Sequence, residues 1–287
     1  MFLITGATGF IGQHLCREFS DEGVYPVAEA EMDLRNPAQI DEVIARVQPE
    51  VVIHLAAKTE VALSFDNYYE VSNVNYLGTV ALAEANRRLN PNLKLFILAS
   101  TMETYGYQVQ WEPFTEATPQ NPRAPYAVAK VAAEKYLRYM EYAYGFPYTI
   151  LRQTNTYGRH DNDFFIVERI ITQMLRGDVC RLGDPDPYRN FLYIDDLVRL
   201  YRTIVEKRPW AGLYVTGPNN AIRIKDLAEK IRDLIGWSGQ IEWHTQPRRP
   251  GEIYYLNSDP RKARRDLGWE PEVELDEGLK LTIAKWL

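Results

Sequence analysis

Tyr126 and Lys130 stand four residues apart in "PYAVAK", a spacing that puts both side chains on one face of a helix. A phenol free in water titrates near pH ~10. An ammonium held beside it favours the phenolate, so such a pair can take a proton from an alcohol near neutral pH. Upstream, "LASTMETYG" offers Thr101 and Glu103, a hydroxyl and a carboxylate two residues apart. The hydroxyl can bond a substrate alcohol, and the carboxylate can serve as a second acid or base. Met102 between them has no proton to give and reads as a packing residue. Each feature also has a plain reading, as two unrelated surface residues or a carboxylate turned to solvent. Their weight comes from what surrounds them.

The chain opens with "MFLITGATGFIG", in which Gly6, Gly9 and Gly12 follow an apolar run and precede a helical pattern. Glycines at such a turn let the backbone approach a pyrophosphate, and the helix start offers free N–H groups. Phe10 and Ile11 belong to the same turn. The spacing and context predict dinucleotide binding. Glu29 and Glu31 follow the second apolar run, where a carboxylate can bond a ribose diol and repel a 2′-phosphate. No Arg closes that run, and Arg35 comes later, which favours NAD over NADP. Asp33 and Leu34 are placed to border the adenine.

Strands and helices must alternate to hold these groups. "MFLIT", "VYPVA", "EVVIHLAA", "LKLFILAS" and "PYTILRQTN" read as strands. Between them, "GQHLCREFSD", "PAQIDEVIARV", "NVNYLGTVALAEANRRL" and "APYAVAKVAAEKYLRYMEYAYG" keep a helical period. The expected fold is α/β: a doubly wound parallel sheet with a smaller C-terminal α/β lobe. The sheet domain is expected over 1–158, with a return segment at about 190–212, and the lobe over 159–287. "RHDND" in the connecting stretch reads as a solvated loop rather than a metal site.

Taken together, "TGATGFIG", "HLAA", "VNYLGT", "STMETYG", "PYAVAK", "RNFLYIDD" and "RKARRDLGW" resemble the extended short-chain dehydrogenase/reductase family, the NAD-dependent sugar epimerases and dehydratases. The likeness runs through nearly the whole chain in order. It implies NAD in the N-terminal part and a nucleotide-diphosphate sugar in the C-terminal lobe. It implies Thr101, Tyr126 and Lys130 as the catalytic core, joined by Glu103. Leu55, Ala56, Ala57 and Asn75 would join the glycine turn in holding the cofactor. Ser64 and Asn155 would face the substrate, and Arg189 and Arg249 would grip its diphosphate.

In this family, 4-epimerases usually carry small or apolar residues where Glu103 stands. The 4,6-dehydratases need a Glu there to move a second proton. The nearest likeness is to GDP-mannose 4,6-dehydratases, in which Ser precedes that Glu. UDP-glucuronate decarboxylases also place a Glu after Ser-Thr-Ser, and Met102 departs from both patterns. The expected activity is nucleotide-sugar 4,6-dehydration. A 4-epimerase, a decarboxylase, a 4-keto-sugar reductase and an NAD-binding redox sensor are the alternatives.

Composition narrows the classes. The net charge of -6 argues against a broad nucleic-acid face. No apolar run has transmembrane length and no basic leader precedes the first strand, so no membrane partner and a cytoplasmic location are expected. His14, His54, His160 and His244 share no ligand spacing, and Cys16 and Cys180 read as reduced thiols; no metal is expected. The aromatic-rich stretch Tyr136 to Tyr144 suggests a homodimer formed by helix packing.

Overall fold

The computed structural model describes residues 1–287. In chain order, β1 (Phe2–Thr5), α1 (Phe10–Glu18), β2 (Val24–Val27), α2 (Pro37–Val47) and β3 (Val51–His54) come first. Then follow α3 (Tyr68–Ser72), α4 (Gly78–Leu89), β4 (Leu95–Thr101), α5 (Pro125–Tyr144), β5 (Tyr148–Gln153) and β6 (Asn155–Tyr157). The next stretch holds α6 (Ile166–Arg176), β7 (Val179–Arg181), β8 (Tyr188–Arg189), β9 (Phe191–Tyr193) and α7 (Ile194–Lys207). Last come β10 (Gly212–Thr216), β11 (Ile222–Arg223), α8 (Ile224–Ile235), β12 (Gln240–Glu242), α9 (Arg261–Leu267) and α10 (Leu275–Ala284).

Six strands form one parallel sheet in the order β10-β5-β4-β3-β1-β2. Every residue of β3 is buried, as expected of a central strand covered on both faces. Pro26 lies in β2, which has one neighbour only; a residue without an N–H is tolerated at such an edge. On one face, Leu15, Phe19, Leu197, Tyr201, Leu267 and Trp269 pack in a common core. On the other, Ile40, Val43, Leu82, Ala133 and Leu137 do the same. The chain beyond 158 thus returns to the sheet three times, through α7, β10 and α9. A third core, around Ile170, Ile171, Phe191, Leu227, Ile231 and Leu279, holds α6, α8 and α10 together. Short pairs β6–β9, β7–β12 and β8–β11 complete this smaller lobe. No helix is long and apolar enough to cross a membrane.

The expected helix over "NVNYLGTVALAEANRRL" is interrupted. Asn73–Leu77 forms a π turn between α3 and α4. The Thr79 hydroxyl donates to the Asn75 carbonyl at 2.9 Å, so a side chain enters the backbone ladder. The Asn75 amide meanwhile clasps both backbone groups of Lys58.

A buried ion pair joins the middle of the sheet to α5. Arg152 on β5 donates to both oxygens of Glu134 on α5, the shortest contact being 2.7 Å. Ser100 and Gln120 also donate to Glu134, and Arg152 reaches the Tyr105 hydroxyl. Both charges are nearly inaccessible to solvent. Removing one partner strands the other in a dry interior. We expect Glu134→Ala to lower the unfolding free energy by about 3–5 kcal/mol, as read by urea denaturation. A loss within 1 kcal/mol, on the order of a solvated pair, would show that the network is not a structural constraint.

Candidate active site

A cavity of about 520 Å³ opens at the C-terminal ends of the sheet strands. It lies where the chain reverses direction across the sheet, between β1 and β3, the usual ligand crevice of such sheets. Gly6, Gly9, Phe10, Ile11 and Gly12 line it, with Leu55, Ala56 and Ala57 opposite. Gly6 has φ of 68°, and a Cβ there would lie 2.8 Å from the Ala56 nitrogen. A Cβ on Gly12 would lie 2.2 Å from the Gly6 carbonyl oxygen. The glycine turn therefore has no room for side chains. Gly9 caps α1 without a side-chain bond, so the first N–H groups of the helix keep free donors.

A polar chain runs beneath this turn. The Ala56 N–H donates to Thr5 Oγ1, which bonds His54 Nδ1; His54 Nε2 bonds Thr79 Oγ1. Because Thr79 Oγ1 donates onward to Asn75, the hydrogen of His54 is assigned to Nε2. Burial pushes this imidazole down to about 3, so it is a neutral core histidine.

At one end of the cavity lie Glu29, Asp33 and Leu34. Here the structure corrects the charge argument. Arg35 folds back onto Asp33 at 2.7 Å and Glu29 at 3.0 Å, so a cation does stand at this end. Lys58 adds a second one beside Glu70. Turn geometry after β2 brings Arg35 back although it is later in sequence. Glu31 is not part of the lining; it pairs with Arg46 at 2.7 Å.

At the other end, Thr101, Glu103 and Tyr126 share the lining with Gln153, Thr154 and Asn155. Thr101 ends β4, and its Oγ1 accepts the Glu103 N–H at 3.1 Å. That cap orients the short turn Met102–Tyr105. Met102 is buried with Tyr105, Phe114 and Ile253, so it packs under the turn. Burial first, then the charge of Glu103, pushes the Tyr126 phenol well above its ordinary value; Thr101 acts in the opposite sense. Lys130 lies behind the lining and donates to the Ala99 carbonyl at 2.8 Å. Burial pushes its ammonium down to about 8, against the pull of Glu134. Burial dominates the shifts of both groups, in opposite directions.

Arg189 and Arg249 converge on one carboxylate. Glu252 lies 3.2 Å from Arg189 and 2.7 Å from Arg249. Burial pushes Glu252 up, but the Arg249 bonds and the charges of both arginines outweigh it and hold it below its usual range. Neither arginine lines the cavity itself, though the Glu103 charge acts on both. Ser64 is fully buried, with its hydroxyl on the Val61 carbonyl, and stays outside the lining. Asn155 lines the cavity, and its amide reaches the Asn190 carbonyl.

Several lining residues carried no sequence signal. Arg159, read as part of a solvated loop, is buried at 7% exposure, with its guanidinium over Phe10 and Phe165. Thr156, Asn162 and Glu168 join it. The four residues that follow Arg159 are exposed, as expected.

A family model described as GDP-mannose 4,6 dehydratase matches residues 26–282. The chain belongs to the extended short-chain dehydrogenase/reductase family. It is 32% identical to human dTDP-D-glucose 4,6-dehydratase, over 82% of this chain and 67% of that one. It is 30% identical to UDP-glucose 4-epimerase of Mycolicibacterium smegmatis, over 98% and 96%. The crystal structure of a Thermotoga maritima UDP-glucose 4-epimerase with UDP-glucose superimposes with TM-score 0.92 at 29% identity, covering 99% and 98%.

The Lys130 environment yields a test. Its folded value near 8 lies below the roughly 10.4 of an unfolded chain. Between these values the unfolded chain binds the extra proton, so raising the pH favours the native state. Relative to Lys130→Met, wild-type stability should rise by about 2–3 kcal/mol from pH 7 to 10.5 in urea titrations. A difference that stays flat would mean that the ammonium is solvated.

Proposed function

We propose that this protein is a nucleotide-sugar 4,6-dehydratase with resident NAD. The observation that carries the reading is Glu103. This carboxylate lines the cavity beside Thr101 and Tyr126, and its charge acts on Tyr126, Arg189 and Arg249. Oxidation and reduction at one carbon need a single base. A second carboxylate at that place has work to do when a second proton moves.

NAD suits the residues present. Gly6 and Gly12 leave room only for a close-lying ligand, and the uncapped start of α1 suits a pyrophosphate. Leu55, Ala56, Ala57 and Leu34 would flank it, with Glu29 and Asp33 toward the adenosine ribose. Lys130 and Asn75 would support it from behind the lining. When bound, NAD supplies the hydride acceptor and donor of the cycle and a positive charge near Tyr126. Thr101 would then bond the C4 hydroxyl while Tyr126 Oη takes its proton. Glu103 would remove the C5 proton and return one to the departing C6 hydroxyl, since Met102 cannot. Arg189 and Arg249, aligned by Glu252, would engage the diphosphate, with Asn155 orienting the sugar. The sheet thus serves the cofactor, and the lobe beyond 158 serves the substrate.

A 4-epimerase is the second reading. The full-length likeness to the mycobacterial enzyme and the close superposition on the Thermotoga one support it. In that case Glu103 has no proton to move.

The outer face of α5 exposes Val128, Tyr139, Tyr142 and Tyr144, which suits a homodimer formed through this helix. Sedimentation of wild type should give twice the chain mass, and Tyr142→Glu with Tyr139→Glu should give the monomer. A monomeric wild type would remove the dimer.

Glu103→Gln separates the two enzymatic readings. With a panel of UDP-, GDP-, CDP- and dTDP-sugars, the dehydratase reading expects wild type to release water, seen by mass spectrometry. The variant should still oxidise C4 but lose exchange of the C5 hydrogen with deuterated solvent. Water loss should drop about 10²–10⁴-fold. A fully active variant whose product keeps the substrate mass decides for the epimerase.

A further inference from the structure

Arg159 stands at the start of the smaller lobe, yet its side chain meets the glycine turn of the sheet domain. Its Cζ lies 4.3 Å from the ring centre of Phe10 and 4.0 Å from that of Phe165. Phe10 is the first residue of α1, whose cap Gly9 offers no side-chain bond to the helix start. The main chain of Arg159 is fixed. Its N–H goes to Glu168 at 3.1 Å, its carbonyl accepts from Trp286 at 2.9 Å, and Lys285 holds the Gly158 carbonyl at 3.1 Å. The guanidinium is less fully used. Nη1 donates to the Thr156 carbonyl at 2.6 Å and lies 3.5 Å from Glu168. Nε and Nη2 make no hydrogen bond, and neither is sealed from solvent as Thr156 Oγ1 and Glu168 Oε2 are. A residue that is 7% exposed thus keeps two accessible donors, and it lines the cavity. Among the lining residues the other cation is Lys58, which Glu70 engages at 3.2 Å. Burial lowers the Arg159 guanidinium, but an arginine keeps its charge at any ordinary pH.

We propose that Arg159 binds the diphosphate of the resident dinucleotide. The inference rests on the NAD reading above and adds a residue of the lobe to the cofactor site. Nε and Nη2 form the side-on edge of a guanidinium, and that edge matches two phosphate oxygens at once. Aromatic rings take the faces of the guanidinium and leave the edge free, so stacking does not compete with the ligand. The uncapped N–H groups of α1 serve the same anion from the sheet side. Arg189 and Arg249, assigned to a substrate diphosphate, lie outside this lining. The cofactor then ties the two parts of the chain together, with α1 from one and Arg159 from the other.

Calorimetric titration tests the assignment with NAD and with ADP-ribose, which keeps the diphosphate and lacks the nicotinamide ring, each at low and high sodium chloride. Arg159→Gln should weaken both ligands by a like factor, about 10- to 100-fold, the size of a lost charge-assisted bond. It should also flatten the dependence of affinity on salt, because salt screens the attraction of a cation for a dianion. Arg159→Lys keeps the charge without the two-pronged edge. It should recover part of the affinity and the salt dependence of wild type. Affinities of Arg159→Gln within about twofold of wild type overturn the proposal. A loss for NAD with none for ADP-ribose would assign Arg159 to the ring end and overturn it as well. So would a loss with unchanged salt dependence, which makes Arg159 a packing residue of its loop. Should Arg159→Gln fail to fold, Arg159→Lys decides: a several-fold loss for both ligands supports the proposal, and full wild-type affinity overturns it. These negative outcomes leave the NAD reading standing. A wild type that binds neither ligand removes that reading, and this inference with it.

Discussion

The buried contact between Glu134 and Arg152 sets the phase of α5, the helix that carries Tyr126 and Lys130. Tyr126, Lys130 and Glu134 are spaced by four residues each, so they form one stripe along α5. Once Glu134 is bound by Arg152 from β5 and by Ser100 from β4, that stripe must face the strand ends. The same arginine bonds the Tyr105 hydroxyl and lies over its ring, which anchors the turn carrying Glu103. Tyr126, Lys130 and Glu103 are thus placed by one desolvated pair. Glu134 also opposes the loss of charge on Lys130 that burial favours. An apolar substitute could fill the space, but it would offer no directional bonds to hold the stripe in register.

Close approach of backbones is the second constraint, and it shapes the cofactor end. Gly6 against Ala56, and Gly12 against Gly6, leave no volume for a side chain. The Thr5–His54–Thr79 chain then links the glycine turn to the π turn, and Asn75 links the π turn to Lys58. A helix irregularity that looks like a defect is the joint through which the loop after β3 is held. π turns of this kind are frequent at functional sites. Gly78 belongs to the same joint, since a Cβ there would lie 2.7 Å from Leu34 Cβ.

The residues of the smaller lobe answer a different need. Glu252 gathers two arginines that would otherwise repel, and it holds one nitrogen of each within ion-pair distance. Arg159 is held between two aromatic rings at the junction of lobe and sheet. Both devices hold positive charge near the cavity: burial works against the Arg159 and Arg189 guanidiniums, and a carboxylate or ring face beside each cation offsets part of that cost. An acidic protein can in this way present local sites for anionic ligands.

Much of this was legible in the sequence. Period and punctuation marked the parallel sheet, because an apolar run, a turn and an amphipathic helix are local patterns that each short stretch satisfies by itself. The glycine turn, the Tyr126–Lys130 pair and the Thr101–Glu103 pair were visible because the chemistry proposed for them requires particular residue types at fixed spacing. What the sequence could not decide is where a long side chain ends. Arg35 lies beyond the strand by count, yet its guanidinium returns to Glu29 and Asp33. Arg159 stands in a polar run, yet it is buried. Arg189 and Arg249 lie 60 positions apart, and only folding brings both to Glu252. Desolvation follows the same rule. The phenol of Tyr126 and the ammonium of Lys130 are shifted by the atoms packed around them, most of which are distant in sequence. Local chemistry names the reactive groups; the tertiary structure sets their charge, because burial is a property of the whole assembly of chain segments and of no one of them.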